Sequence, residues 1–110
     1  MLETSLAEVV QLPDRRAAGL EKKAQHLTVI GRVQGVGFRY FVYQHATSLH
    51  LGGWVRNKRN GDVEAHVEGK PEDVLKLERL IRKGPSFSFV AECRLREVPV
   101  EGFETFAIVR

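Results

Sequence analysis

The dipeptide Asn60-Gly61 constrains this chain more than any other feature, because it lies between two strand-like runs. Asn-Gly accepts the left-handed backbone of a tight hairpin turn, so Leu51–Lys58 and Asp62–Glu68 are predicted to pair as neighbouring antiparallel strands. In the second run Val63, Ala65 and Val67 alternate with Asp62, Glu64, His66 and Glu68. That alternation predicts one buried face and one wet face.

Helical periods flank the hairpin. Phe38, Phe41, Val42, His45, Ala46 and Leu49 recur at the three-and-four spacing that places them on one side of a helix. His45 on that apolar side reads as a core histidine. Pro71 opens a second helix, where its missing N–H costs nothing. Glu72 and Asp73 complement its positive start, and Arg82 and Lys83 its negative end. Val74, Leu77, Leu80 and Ile81 form its apolar side, and Gly84-Pro85 stops it.

Leu27, Val29 and Val33, alternating with Thr28, Ile30 and Arg32, read as a first strand. Val90–Val98 reads as a fourth and Glu104–Val109 as a fifth. The order β-α-β-β-α-β plus a last strand predicts an α+β, ferredoxin-like sandwich. Its antiparallel sheet carries two helices on one face and gains an additional C-terminal strand. This fold hosts many functions, so the function must come from a site.

The regular pattern begins only at His26. Residues 1–25 are expected to be a flexible N-terminal extension, with a short helix docked on the domain or a partner as the alternative. Residues 26–110 are expected to be one domain. No run of ~18 apolar residues predicts a membrane span, and no secretory start is visible. The single cysteine, Cys93, allows no internal disulfide and fits a cytoplasmic protein. It reads as a small buried hydrophobe. The net charge of +3 favours small anions and is too weak to argue for nucleic acid.

Chemistry concentrates in Gly31-Arg32-Val33-Gln34-Gly35-Val36-Gly37-Phe38-Arg39, between the first strand and the first helix. Glycines let backbone N–H groups turn toward an anion. A helix start adds unpaired N–H groups and a positive dipole end. Arg39, in the first turn, brings a permanently charged group that matches phosphate oxygens two at a time. From spacing alone the segment is either an anion cradle or a plain glycine turn with a surface arginine. It is not a Walker loop, since no Gly-Lys-Ser/Thr ends it.

This segment resembles the acylphosphatase signature. The second signature of that family, Gly-Trp-Val-x-Asn before a glycine turn, is matched by Gly53-Trp54-Val55-Arg56-Asn57 with Gly61 following. Val63-Glu64, Gly69, Gly84-Pro85 and Gly102-Phe103-Glu104 follow in family order, so the resemblance covers residues 26–110. It implies hydrolysis of acyl phosphates to a carboxylate and inorganic phosphate. It implies that Arg39 binds phosphate, that Asn57 positions the attacking water, and that the backbone of Gln34, Gly35, Val36, Gly37 and Phe38 forms the cradle. Many members carry Asp-Gly in the hairpin. Here Asn60-Gly61 precedes Asp62, and whether Asp62 assists Asn57 is open.

A carboxylate leaving group departs without a proton, so no general acid is needed. Phosphoryl transfer depends mainly on positioning and charge stabilisation. The expected partners are therefore a small acyl phosphate and its phosphate product, with broad tolerance of the acyl part. No cofactor is expected, and no metal, because His26, His45, His50 and His66 show no ligand spacing. Trp54 reads as a packing residue. A monomer is expected, with no nucleic acid or membrane partner. Two rivals share the fold. One is a non-catalytic anion-binding or regulatory domain, against which the pair Arg39 and Asn57 argues. The other is an RNA-binding module, against which the lack of aromatics in the first and third strands argues.

Overall fold

A computed structural model describes residues 21–110. The chain runs β1 (Lys23–Arg32), α1 (Phe38–Ser48), β2 (Gly52–Asn57), β3 (Val63–Gly69), α2 (Pro71–Lys83), β4 (Phe89–Val98) and β5 (Phe106–Ile108). These form one sheet in the order β4-β1-β3-β2-β5. β1 pairs antiparallel with β3 and β4, and β2 antiparallel with β3. The expected βαββαβ sandwich is present. The additional C-terminal strand, β5, runs parallel to β2, with Val55 opposite Ile108, so the full sheet is mixed.

β1 starts at Lys23, opposite Gly69, and so takes in the last residues of the expected extension. The rest of that segment, residues 1–20, lies outside the described residues. No helix among the described residues is long and apolar enough to cross a membrane.

The core lies between the helices and one sheet face. Leu27, Val29, Val55, Val63, Ala65 and Val67 from the strands meet Phe38, Val42 and Ala46 from α1 and Val74, Leu77 and Ile81 from α2. The helical spacing anticipated these positions, with two shifts. Leu80 of α2 is only half-buried and lies outside the core cluster, and Glu78 is buried in that helix. His45 is only half-buried, edge-on to Phe41 with centroids 4.6 Å apart, so it flanks the core and does not fill it. Cys93 is partly buried against the core, and burial pushes its thiol pKa up.

The hairpin turn is wider than a two-residue turn. Asn57 pairs with Val63, and residues 58–62 form the loop between them. Lys58 N–H donates to Asp62 O (2.8 Å), Gly61 N–H to Lys58 O (3.2 Å), and Asp62 N–H to the Asn60 side chain (3.0 Å). Gly61, at φ +100°, supplies the left-handed residue.

The second face of β3 is not wet at its C-terminal end. His66 is 4% exposed and Glu68 1%. The reason is topological. β4 and β5 lie at opposite edges of the sheet, and the helices occupy one face, so the connection between these strands must cross the other. Glu101, Gly102 and Phe103 of that connection donate their N–H groups to the Glu68 carboxylate at 2.6, 3.0 and 3.0 Å. His66 Nε2 lies 2.6 Å from the same carboxylate. Phe103 meets the His66 ring edge-on, and Trp54 stacks on it. Burial pushes the Glu68 pKa up, but the His66 and backbone hydrogen bonds outweigh it and hold the carboxyl below its ordinary value. Trp54 is thus a packing residue, as its sequence context suggested.

Candidate active site

The segment after β1 changes character at Gly31. A bulge interrupts the β1–β4 ladder between Ile30 and Gly31, and a Cβ on Gly31 would sit 2.1 Å from Phe89 O. Gly31 therefore serves the sheet. Gly35 and Gly37 differ: both have φ near the left-handed region (+74° and +77°), and a Cβ on either would meet no heavy atom within 4 Å. At both positions it is the backbone conformation, not packing, that calls for glycine.

Gly37 is the N-cap of α1. No side chain caps this helix, and its first turn holds no acid. Its first hydrogen bond is from Phe41 N–H to Gly37 O (3.0 Å). Among the described residues, the N–H groups from Gln34 to Tyr40 find no backbone acceptor. α2 begins differently: Pro71 has no N–H to satisfy, Glu72 and Asp73 stand in its first turn, and Asp73 N–H bonds Lys70 O (2.9 Å). The α1 start is left positive and unpaired, which is the condition for binding an anion.

Arg39 is half-buried in that first turn. It shares the wall of one pocket, of about 200 Å³, with Gly35, Gly37 and Asn57, over a floor of Val33 and Phe38. Asn57 reaches the pocket because it ends β2 in the same phase as the core residue Val55. Its Oδ1 is buried and has no hydrogen-bond partner. A buried amide oxygen left unpaired costs about 1–3 kcal/mol, and such exceptions concentrate at functional sites.

The remaining expected residues play different parts. The Phe38 side chain packs in the core. Val36 leans on the core from the loop. Gln34 does more than its backbone suggested. Its Nε2 donates to Lys58 O (2.7 Å) and Asp62 O (2.9 Å), tying the glycine loop to the hairpin just beyond Asn57. Asp62 contributes that backbone carbonyl, and its side chain is absent from the pocket wall beside Asn57. Among the described residues no three His, Cys, Asp or Glu side chains cluster as a metal site.

A ferredoxin-like sandwich with an acid-free helix start, a glycine loop and an arginine on one small pocket defines a protein that handles a small anion. The acylphosphatase family model matches residues 25–108. An acylphosphatase of Moorella thermoacetica is 46% identical over 83 residues, covering 76% of this chain and 89% of the relative. One from Bacillus pumilus is 46% identical over 74 residues, covering 67% of this chain and 82% of the relative. The crystal structure of acylphosphatase from Bacillus subtilis superposes with a TM-score of 0.78 at 38% identity, covering 80% of this chain and 99% of that one. The chain belongs to the acylphosphatase family. It is an enzyme that hydrolyses acyl phosphates to a carboxylate and inorganic phosphate.

Proposed function

We propose that Arg39 and the N–H groups of Gln34–Phe38 hold the phosphoryl group while Asn57 positions the attacking water, without a metal. The observation that carries this reading is the single pocket shared by Arg39, Asn57 and the unpaired start of α1. Water oxygen attacks phosphorus, and the bond from phosphorus to the acyl oxygen breaks. The carboxylate leaves with the electron pair, and a non-bridging phosphate oxygen takes the proton of the water. A carboxylate leaves unprotonated near neutral pH, so no general acid is required. The charge on the transferring group is met by a guanidinium and fixed amide dipoles, which need no reorganisation. A neutral amide cannot act as a base, but it can orient water with one donor and one acceptor.

The same reading makes the protein a cytoplasmic monomer whose partners are the acyl phosphate and inorganic phosphate. No nucleic acid is expected to bind: Glu101, Gly102 and Phe103 of the connection between β4 and β5 pack on Glu68 and His66 of β3, one of the strands on which an RNA-binding module of this fold stacks bases.

Steady-state kinetics with acetyl phosphate, using inorganic phosphate as inhibitor, tests the assignment. Arg39→Ala lowers kcat/KM by about 10³-fold and abolishes inhibition by phosphate. Asn57→Ala lowers kcat by about 10²-fold and keeps the phosphate Ki within about twofold. Asn57→Ala does not lose stability to urea, because it removes an unpaired buried oxygen. Full activity in chelator is expected. Parent-like rates in both variants, or chelator inactivation reversed by added metal, would overturn the reading.

A further inference from the structure

The pocket that holds Arg39 has an apolar rim that phosphate chemistry does not use. Exposure sorts its apolar lining. Val33 and Phe38, each 1% exposed, form the floor, whereas Tyr40 and Ile108 are 57% and 41% exposed. A large apolar side chain left this exposed on the wall of a concave site marks a contact surface.

Both rim residues are fixed by their elements. Tyr40 follows Arg39 in the first turn of α1, and its ring stacks on Tyr43, one turn on, with centroids 6.2 Å apart and an interplanar angle of 25°. Ile108 ends β5 in the phase of the buried Phe106, opposite Val55 in β2. The parallel pairing of β5 continues through Val109 N–H to Val55 O (2.9 Å), which sets Ile108 beside the strand that ends in Asn57. A ring shelf from the helix and a branched side chain from the sheet edge thus stand on the wall that carries Arg39 and Asn57.

We propose that Tyr40 and Ile108 form a subsite for the acyl group and favour acyl phosphates with flat or extended apolar acyl chains over acetyl phosphate. The proposal rests on the phosphoryl placement given above. With the phosphoryl group against Arg39 and the glycine amides, the acyl part leaves the floor toward the exposed rim. An apolar acyl group there covers Tyr40 and Ile108, and removes water from the reacting bond. The expected tolerance of the acyl part becomes graded, with apolar contact setting the order.

The test compares benzoyl phosphate with acetyl phosphate as the ratio of their kcat/KM values. Tyr40→Ala keeps a strong helix former in α1, and Ile108→Thr keeps a β-branched residue in β5. Each is expected to lower the benzoyl preference by about five- to tenfold, the scale of a lost apolar contact in a binding pocket. Tyr40→Phe is expected to keep the preference, since the ring and not the hydroxyl makes the shelf. An unchanged ratio in both truncated variants overturns the subsite and leaves the phosphoryl placement intact. A ratio in Tyr40→Phe that falls as far as in Tyr40→Ala overturns the apolar basis. If phosphate inhibits Arg39→Ala as well as it inhibits the parent, the phosphoryl placement fails and the subsite falls with it.

Discussion

The molecule contains two stretches of backbone N–H groups that take no backbone acceptor among the described residues, in the connection between β4 and β5 and in the loop before α1, and they are finished in opposite ways. In the connection between β4 and β5, the N–H groups of Glu101, Gly102 and Phe103 close on the carboxylate of Glu68. In the loop before α1, the N–H groups around Gly35 and Gly37 have no backbone acceptor among the described residues, and Arg39 lines the same pocket as both glycines. The first cradle carries its own anion and holds a loop against the sheet. The second has no internal anion, and the helix behind it has no acid in its first turn. On the reading proposed above, the same backbone device is structural when the chain supplies the charge and functional when it withholds it.

Removing the internal anion has the largest expected effect on the fold. Glu68→Gln weakens three backbone hydrogen bonds and the His66 contact, and is expected to cost about 1–3 kcal/mol in urea unfolding. The folded-state pKa of Glu68 lies below the ordinary 4.5. Its contribution is therefore complete above that value and is lost as the pH falls below it toward the depressed pKa. The gap between parent and Glu68→Gln should narrow as the pH drops below about 4.5; a constant gap would separate Glu68 from acid stability.

Supplying an internal anion to the empty cradle should convert one kind into the other. Tyr40→Asp places a carboxylate in the first turn of α1, the position Asp73 holds in α2. It is expected to raise the Ki of inorganic phosphate at least about tenfold while stabilising the helix by about 0.3–1 kcal/mol. An unchanged Ki would mean that the anion binds elsewhere.

The smallest effect is the most selective. Gln34→Met removes the donor that ties the glycine loop to Lys58 and Asp62 but keeps the side chain's length. It is expected to lower kcat several-fold, up to about tenfold, with the phosphate Ki little changed, because Asn57 loses its register against the bound phosphoryl group. A parallel loss of phosphate binding would mean that the Gln34 side chain shapes the phosphate cradle itself and does not only link it to Asn57.

The two cradles were unequally legible in the sequence. The empty one is local: glycines, helix start and arginine lie within one short segment, and the signature around Asn57 added its partner. The filled one is not local, since Glu68 meets N–H groups more than thirty residues further on. Alternation along β3 gave Glu68 and His66 their common phase but could not tell what covers that phase. The cover follows from the placing of β4 and β5 at opposite edges, which depends on β5 pairing parallel with β2. The side-chain role of Gln34 was not legible for the same reason: its acceptors are carbonyls in the hairpin, and carbonyls leave no mark in a sequence. Trp54 beside His66 was the one available signal, a bulky ring on a face that was expected to be wet.

The most direct test of the difference between the cradles is a titration with inorganic phosphate followed by backbone amide resonances. Saturable shifts are expected at Gly35, Gly37 and Arg39, with none at Glu101, Gly102 and Phe103, and they are expected to vanish in Arg39→Ala. Shifts centred on the connection between β4 and β5, or shifts around Gly35 and Gly37 that persist without Arg39, would contradict the account.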